Sequence, residues 1–311
     1  MYAAKATATH SSALKFGGRE FVFVLIALAC VGLYWNSLKA LVSLCLQGDS
    51  YSHILLIPFI VLYLVISERG RIFREVRSAI PVGAAAIAAG MLISYLANPR
   101  FYSNGAEHLS GTIIGLVFAW VGCFVACFGA RAARSAIFPL SFLFLMIPPP
   151  ESLLSPIVAA LQHGSVEVSY LLFKLFRVPV FRHGVLLSVP GVTIEVAKEC
   201  SSIRSSMALL ITCILAARFY LRSFWKQIVF VAVSLPVSVI KNGIRITTLT
   251  LLSIYVNPGF LHGDLHRDGG FVFFLLALVI LWPLLSILHR TETPALHGAG
   301  TAAPSGELAG G

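Results

Sequence analysis

Residues 109–129 read LSGTIIGLVFAWVGCFVACFG, with no Asp, Glu, Lys or Arg anywhere in the stretch. As an α-helix at 1.5 Å per residue it is about 30 Å long, the thickness of a bilayer's hydrocarbon core. Its apolar residues do not alternate with polar ones, so an outer-membrane β-strand is excluded. Backbone amides in lipid must be satisfied within the segment, which leaves the helix. The chain around it has the same character: 58% of the 311 residues are apolar and only 12% are Asp, Glu, Lys or Arg. That balance is too apolar for a water-soluble domain. The expected fold class is all-α, a polytopic integral membrane helix bundle.

Comparable apolar runs occupy residues 21–40, 51–66, 80–97, 135–147, 203–217, 225–255 and 270–288. They predict about eight transmembrane helices. The runs beginning at Tyr51 and Ser135 fall short of a full span. No internal repeat is visible, which argues against a transporter built from inverted halves. Between Pro148 and Glu199, residues 153–176 have apolar positions at helical spacing interrupted by His163, Glu167 and Lys174, the pattern of an interfacial or re-entrant helix. Residues 178–196 then alternate Val, Leu and Ile with Pro and Gly, a hairpin signal expected at the outer face.

Residues 1–18 are polar and read as a disordered N-terminus, residues 19–290 as one transmembrane domain, and residues 291–311, rich in Ala, Gly, Thr and Pro, as a disordered tail. The first apolar run is too long for a signal peptide and reads as an uncleaved span. Basic residues cluster at Lys15 and Arg19, at Arg69 to Arg77, at Arg131 and Arg134, at Arg218, Arg222 and Lys226, and at Arg290. The positive-inside rule places these segments, and both termini, in the cytoplasm.

The net charge of +10 arises from those clusters, so it reports topology and not a nucleic-acid partner. Six cysteines at irregular spacing predict no disulfide framework. Cys123 and Cys127 share a helix face but have no third ligand near them in sequence, so no metal is expected. Phosphate-binding loops, His-Glu-x-x-His helices and Gly-x-Ser-x-Gly elbows are absent, and no cofactor is expected.

Three polar clusters stand against this background: Glu195 to Arg204, Lys241 to Arg245, and His266 to Gly270. Cys200 precedes Ser201 and Ser202 at the start of a span, where hydroxyl caps and the helix dipole favour a thiolate; Lys198 and Arg204 add to that, and Glu195 and Glu199 oppose it. Asn242 and Arg245 share a helix face, and a permanently charged guanidinium suits an oxyanion in a poorly hydrated site. His266 is suited to general acid–base work, with His262 one turn earlier as a competitor. Each has a plainer reading: a structural buried thiol, basic side chains snorkelling to the interface, and a solvated imidazole. Span lengths argue for convergence. Cys200 lies 18 residues before Arg218, about 27 Å of helix, and Arg245 lies 19 after Lys226, about 29 Å. Both are near the roughly 30 Å hydrocarbon thickness, so all three clusters are expected at one depth near the outer face.

In order along the chain, the motifs resemble those of the exosortase/archaeosortase family. Asp49-Ser-Tyr51-Ser52-His53 with Ile57-Pro58 is similar to its early motif, and Ile147 to Pro150 through Val189-Pro190-Gly191 to its central region. Glu199-Cys200-Ser201-Ser202-Ile203-Arg204 resembles the Cys motif, Asn242-Gly-Ile-Arg245 the Arg motif, and His266-Arg-Asp-Gly-Gly270 the His motif. Ser202 departs from the family's usual Gly. The resemblance implies Cys200 as nucleophile, Arg245 as transition-state stabiliser and His266 as acid and base, with Glu199, Ser201, Ser202, Asn242 and His262 in support. It also implies a cytoplasmic (inner) membrane protein whose site faces the periplasm or exterior. The implied partners are exported proteins bearing a C-terminal signal of a Pro-containing motif, a hydrophobic helix and a basic tail, together with membrane lipid and a glycolipid or polysaccharide acceptor. The rival reading from the residues alone is a transporter or channel for a small anion or proton.

Overall fold

The structure, a computed structural model, describes residues 17–47, 49–97, 105–196, 203–257, 259 and 270–292. It divides into two compact units, Met1–Ser155 and Pro156–Gly311. In the first unit, α1 (Gly18–Leu33) and α2 (Trp35–Gln47) meet at a 73° bend, so residues 21–40 are two helices and not one straight span. A 3-10 turn (Asp49–Leu56) leads into α3 (Ile57–Ser67), then come α4 (Arg69–Ile72), α5 (Ile80–Leu96), α6 (Gly105–Ser135), α7 (Ile137–Phe142) and a second 3-10 turn (Leu143–Met146).

Helices α5 and α6 run antiparallel and form the closest pairing of this unit. Glycine makes that possible, because a Cβ at Gly90 would stand 2.5 Å from the Gly115 carbonyl and one at Gly83 2.5 Å from the Ala126 amide. Lipid tails are as apolar as leucine, so helices in a bilayer gain most from close backbone approach and van der Waals contact. Around this pair, Tyr34 and Ser94 share a hydrogen bond of 2.8 Å and the rings of Phe23, Phe73, Phe124 and Phe128 cluster.

The second unit contains most of α8 (Glu151–Leu175), whose first turn begins after Pro148–Pro150. The expected hairpin is a three-stranded antiparallel sheet, β1 (Phe181–His183), β2 (Leu186–Val189) and β3 (Val192–Glu195), paired in that order. Its tight turns use Gly184 and Gly191 at positive φ. Among the described residues, three helices complete the unit: α9 (Ile203–Tyr220), α10 (Phe224–Tyr255) and α11 (Gly270–Arg290). Helix α10 is its axis. Phe230 and Val237 pack with Leu209, Cys213, Ala277 and Leu281 of α9 and α11, while Ile246 packs with Val166 and Phe173 of α8 and Leu187 of the sheet.

Among the described residues, α6, α10 and α11 are long and apolar enough to cross a membrane. The pairs α1 with α2 and α7 with α8 raise that number to five if each is one broken span, and α3 and α5 are shorter apolar helices. Phe271, Val279 and Trp282 of α11 point outward while Ala277 and Leu281 are buried. Such an apolar exterior is suited to lipid. The protein is an all-α integral membrane protein in its architecture, with a small sheet among the described residues.

At the end of the last helix, Glu292 accepts hydrogen bonds from the backbone N–H groups of Arg222 (2.7 Å) and Ser223 (2.8 Å), and Lys226 stands 3.8 Å away. These amides, with the nearby cation, hold the carboxyl below the usual glutamate range.

Two outcomes are expected. Gly90→Ala should lower thermal stability in detergent by about 1–3 kcal/mol through overpacking, whereas Gly32→Ala, where an added Cβ meets nothing within 4 Å, should leave it unchanged or slightly raised. Because the folded-state pKa of Glu292 is depressed, its contribution is fully present above the unfolded value of about 4.3 and is lost as pH falls through the folded value. A melting-temperature gap between wild type and Glu292→Gln should therefore exist at pH 7 and close in acid.

Candidate active site

Five polar residues of α10 fall on one stripe. Ser234, Ser238, Lys241, Asn242 and Arg245 are spaced at four, three, one and three residues, which brings them to one side of the helix. Ser234, Ser238, Lys241 and Asn242 are all buried, and Arg245 is half-buried. Each buried group has a partner. Ser238 and Ser206 of α9 share a hydrogen bond of 2.6 Å, Lys241 Nζ donates to Ser205 Oγ at 2.5 Å, and Asn242 Nδ2 donates to Ser165 Oγ of α8 at 2.8 Å. Ser169 donates to the Gly243 carbonyl at 3.3 Å. A Cβ on Gly243 would lie 2.4 Å from Val168, so glycine here lets α8 and α10 approach closely enough for these bonds.

Lys241 is only 1% exposed, and its ammonium meets Ser205 inside the bundle. It does not snorkel to the interface, which was the plainer of its two readings. A side chain with three donors and a full charge in such a place is costly unless it serves a purpose. Sequence reasoning also passed over Ser165, Ser205, Ser206 and Ser238. The available signal was the run of serines at helical spacing with Lys241 on an otherwise apolar helix.

Cys200, Glu199, Ser201, Ser202, His262 and His266 lie outside the described residues. The described segments on either side of them are informative. Before Cys200, the Val196 amide donates to the Val185 carbonyl at 3.1 Å, and Gln162 of α8 donates to the Val196 carbonyl. After it, α9 begins with Ser205 and Ser206 against Lys241 and Ser238. The link Leu221–Ser223 then returns the chain into α10, antiparallel to α9. Helix α11 ends where α10 begins, with Lys226 Nζ 3.0 Å from Thr291 Oγ1. Its length of about 30 Å carries its first residue, Gly270, to the level that Arg245 occupies on α10. The starts of α9 and α11, which follow the Cys and His motifs, thus lie at the Arg245 end of this unit.

Beside the polar stripe, a groove of about 580 Å³ runs between the C-terminal parts of α8 and α10, lined by Leu172, Phe176, Ile244, Thr248, Leu251 and Tyr255. The buried Thr247 hydroxyl also borders it and has no hydrogen-bond partner among the described residues. No group of three His, Cys, Asp or Glu side chains suited to a metal occurs among the described residues. Cys30 and Cys123 are free thiols with sulfurs 4.0 Å apart, and Cys127 is free as well.

The family described as transmembrane exosortase (Exosortase_EpsH) has a model that matches residues 35–283. The chain belongs to the exosortase family. The matched region takes in all three polar clusters and runs from α2 into α11. Membership points to a membrane-embedded enzyme that processes sorting signals. No curated protein and no solved structure matches the chain.

The buried ammonium yields a test. Lys241→Met exchanges the charge for an apolar side chain of similar length and so removes the desolvation cost of a buried ammonium. The variant should melt at or above the wild-type temperature in detergent while processing of a tagged exosortase substrate falls. Lost folding together with lost activity would reduce Lys241 to a structural group.

Proposed function

We propose that the chain is a membrane-embedded cysteine transpeptidase or endopeptidase that removes the C-terminal sorting signal of exported proteins. The observation that carries this reading is the exosortase family match across the Cys, Arg and His motifs, joined to the half-buried Arg245 on the α10 stripe. The protein would lie in the cytoplasmic (inner) membrane with both termini in the cytoplasm and the site at the outer face. The apolar groove between α8 and α10 is suited to the hydrophobic helix of a signal that arrives laterally through lipid.

In this reading the Cys200 thiolate attacks the scissile carbonyl carbon. The forming oxyanion is stabilised by the Arg245 guanidinium, whose charge acts strongly where water is scarce. As the C–N bond breaks, protonated His266 gives its proton to the departing amine, leaving a thioester on Cys200. His266 then takes a proton from the incoming nucleophile, which is water or an amine on a glycolipid or surface polymer. That nucleophile displaces the thiolate and releases the processed protein. Glu199, Ser201, Ser202, Asn242 and His262 are assigned to positioning around these three groups.

Cells producing a tagged substrate with a Pro-containing motif, hydrophobic helix and basic tail provide the experiment. Cys200→Ala should abolish removal of the tail. Arg245→Lys, which keeps the charge but loses the planar fork, should slow it about a hundredfold or more. Leu251→Trp, which fills the groove, should impair processing of the full signal. Normal tail removal by Cys200→Ala would sink the proposal.

A further inference from the structure

A second concavity lies in the Met1–Ser155 unit and is lined by none of the residues of the chemistry above. It has a volume of about 420 Å³, and its walls carry Arg71, Arg74, Arg131 and Arg134 with Glu75 and Ser135. Gly129 builds it. At φ 90° and ψ 169° this residue breaks the helical path of α6 in a conformation reserved almost entirely for glycine. A Cβ there would stand 1.6 Å from the Arg77 carbonyl oxygen. The break seats residues 131–135 beside residues 71–77, where Arg71 donates to the Ser135 carbonyl at 2.9 Å and Arg131 pairs with Glu75 at 2.6 Å.

The charges in this pocket do not balance. Arg71 is paired with Glu68 and Arg131 with Glu75, but Arg74 and Arg134 make no hydrogen bond or ion pair among the described residues. Membrane topology accounts for arginines on one side of a bilayer, not for four of them around one concavity. Guanidinium forks match the oxygens of a phosphate. Directly beyond the pocket, α5 and α7 begin with exposed Ile80, Val82 and Ile137, an apolar surface of the kind acyl chains cover.

We propose that the arginine pocket between the α4–α5 link and the end of α6 binds a phosphate group, supplied by the headgroup of an anionic phospholipid. Arg74 and Arg134 grip the phosphate oxygens, while Glu75 holds Arg131 and limits the pocket's charge. The lipid would fasten the broken end of α6 to the membrane surface.

Native mass spectrometry of the full-length protein, released from nanodiscs with equal phosphatidylglycerol and phosphatidylcholine, tests this. Wild type should retain phosphatidylglycerol selectively, and Arg74→Gln with Arg134→Gln should reduce that retention about tenfold. Arg69→Gln with Arg222→Gln removes the same charge outside the pocket and should leave retention near wild type. Glu75→Gln should raise it, which provides a gain-of-binding readout if the double arginine variant folds poorly. Retention that withstands millimolar inorganic phosphate assigns the pocket to the lipid, whereas displacement by inorganic phosphate supports the phosphate site but assigns it to a soluble ligand. Equal losses in the two double variants, or no preference for phosphatidylglycerol and no binding of inorganic phosphate, would overturn the proposal.

Discussion

A polar group inside a membrane protein has no water to fall back on, and the second unit is organised around that constraint. Lys241 and Asn242 on α10 cannot be hydrated where they lie, so α9 and α8 must deliver Ser205 and Ser165 to them. Those two hydrogen bonds tie three helices together, and glycine at position 243 lets α8 come near enough. The same bonds fix the start of α9.

The first unit meets the bilayer differently. Its closest helix pair, α5 with α6, relies on glycine and direct backbone approach in place of buried polar bonds. At one end of this unit the break at Gly129 gathers arginines that a continuous helix would have spread along its surface. Exosortase membership covers both units, although the three motifs argued for catalysis all belong to the second.

Much of the fold was legible from hydrophobic runs and their charged flanks. The predicted runs 225–255 and 270–288 correspond to α10 and α11 within two residues, because an uninterrupted apolar helix in lipid has few alternatives. Bends were harder to read. The 73° turn at Tyr34 is marked by neither proline nor charge, and Gly129 looks like the end of a helix when the chain resumes one to Ser135. Pro and Gly punctuation announced a hairpin, but the third strand depends on pairing that residues 178–196 do not advertise locally. In the candidate site, Arg245 and Asn242 were visible as charged and amide groups on one helix face. For Lys241 two readings stayed open, because a buried lysine and a snorkelling one look alike in sequence, and only its partner on another helix separates them.

The most direct test of the central claim, that Cys200 carries the acyl group, is intact-mass spectrometry of purified wild-type protein mixed with a substrate bearing the full signal. A transient adduct equal in mass to the processed substrate fragment should form, mapping to Cys200 and released by hydroxylamine as a thioester should be. Cleavage of the signal while Cys200 remains a free thiol throughout the time course would contradict it.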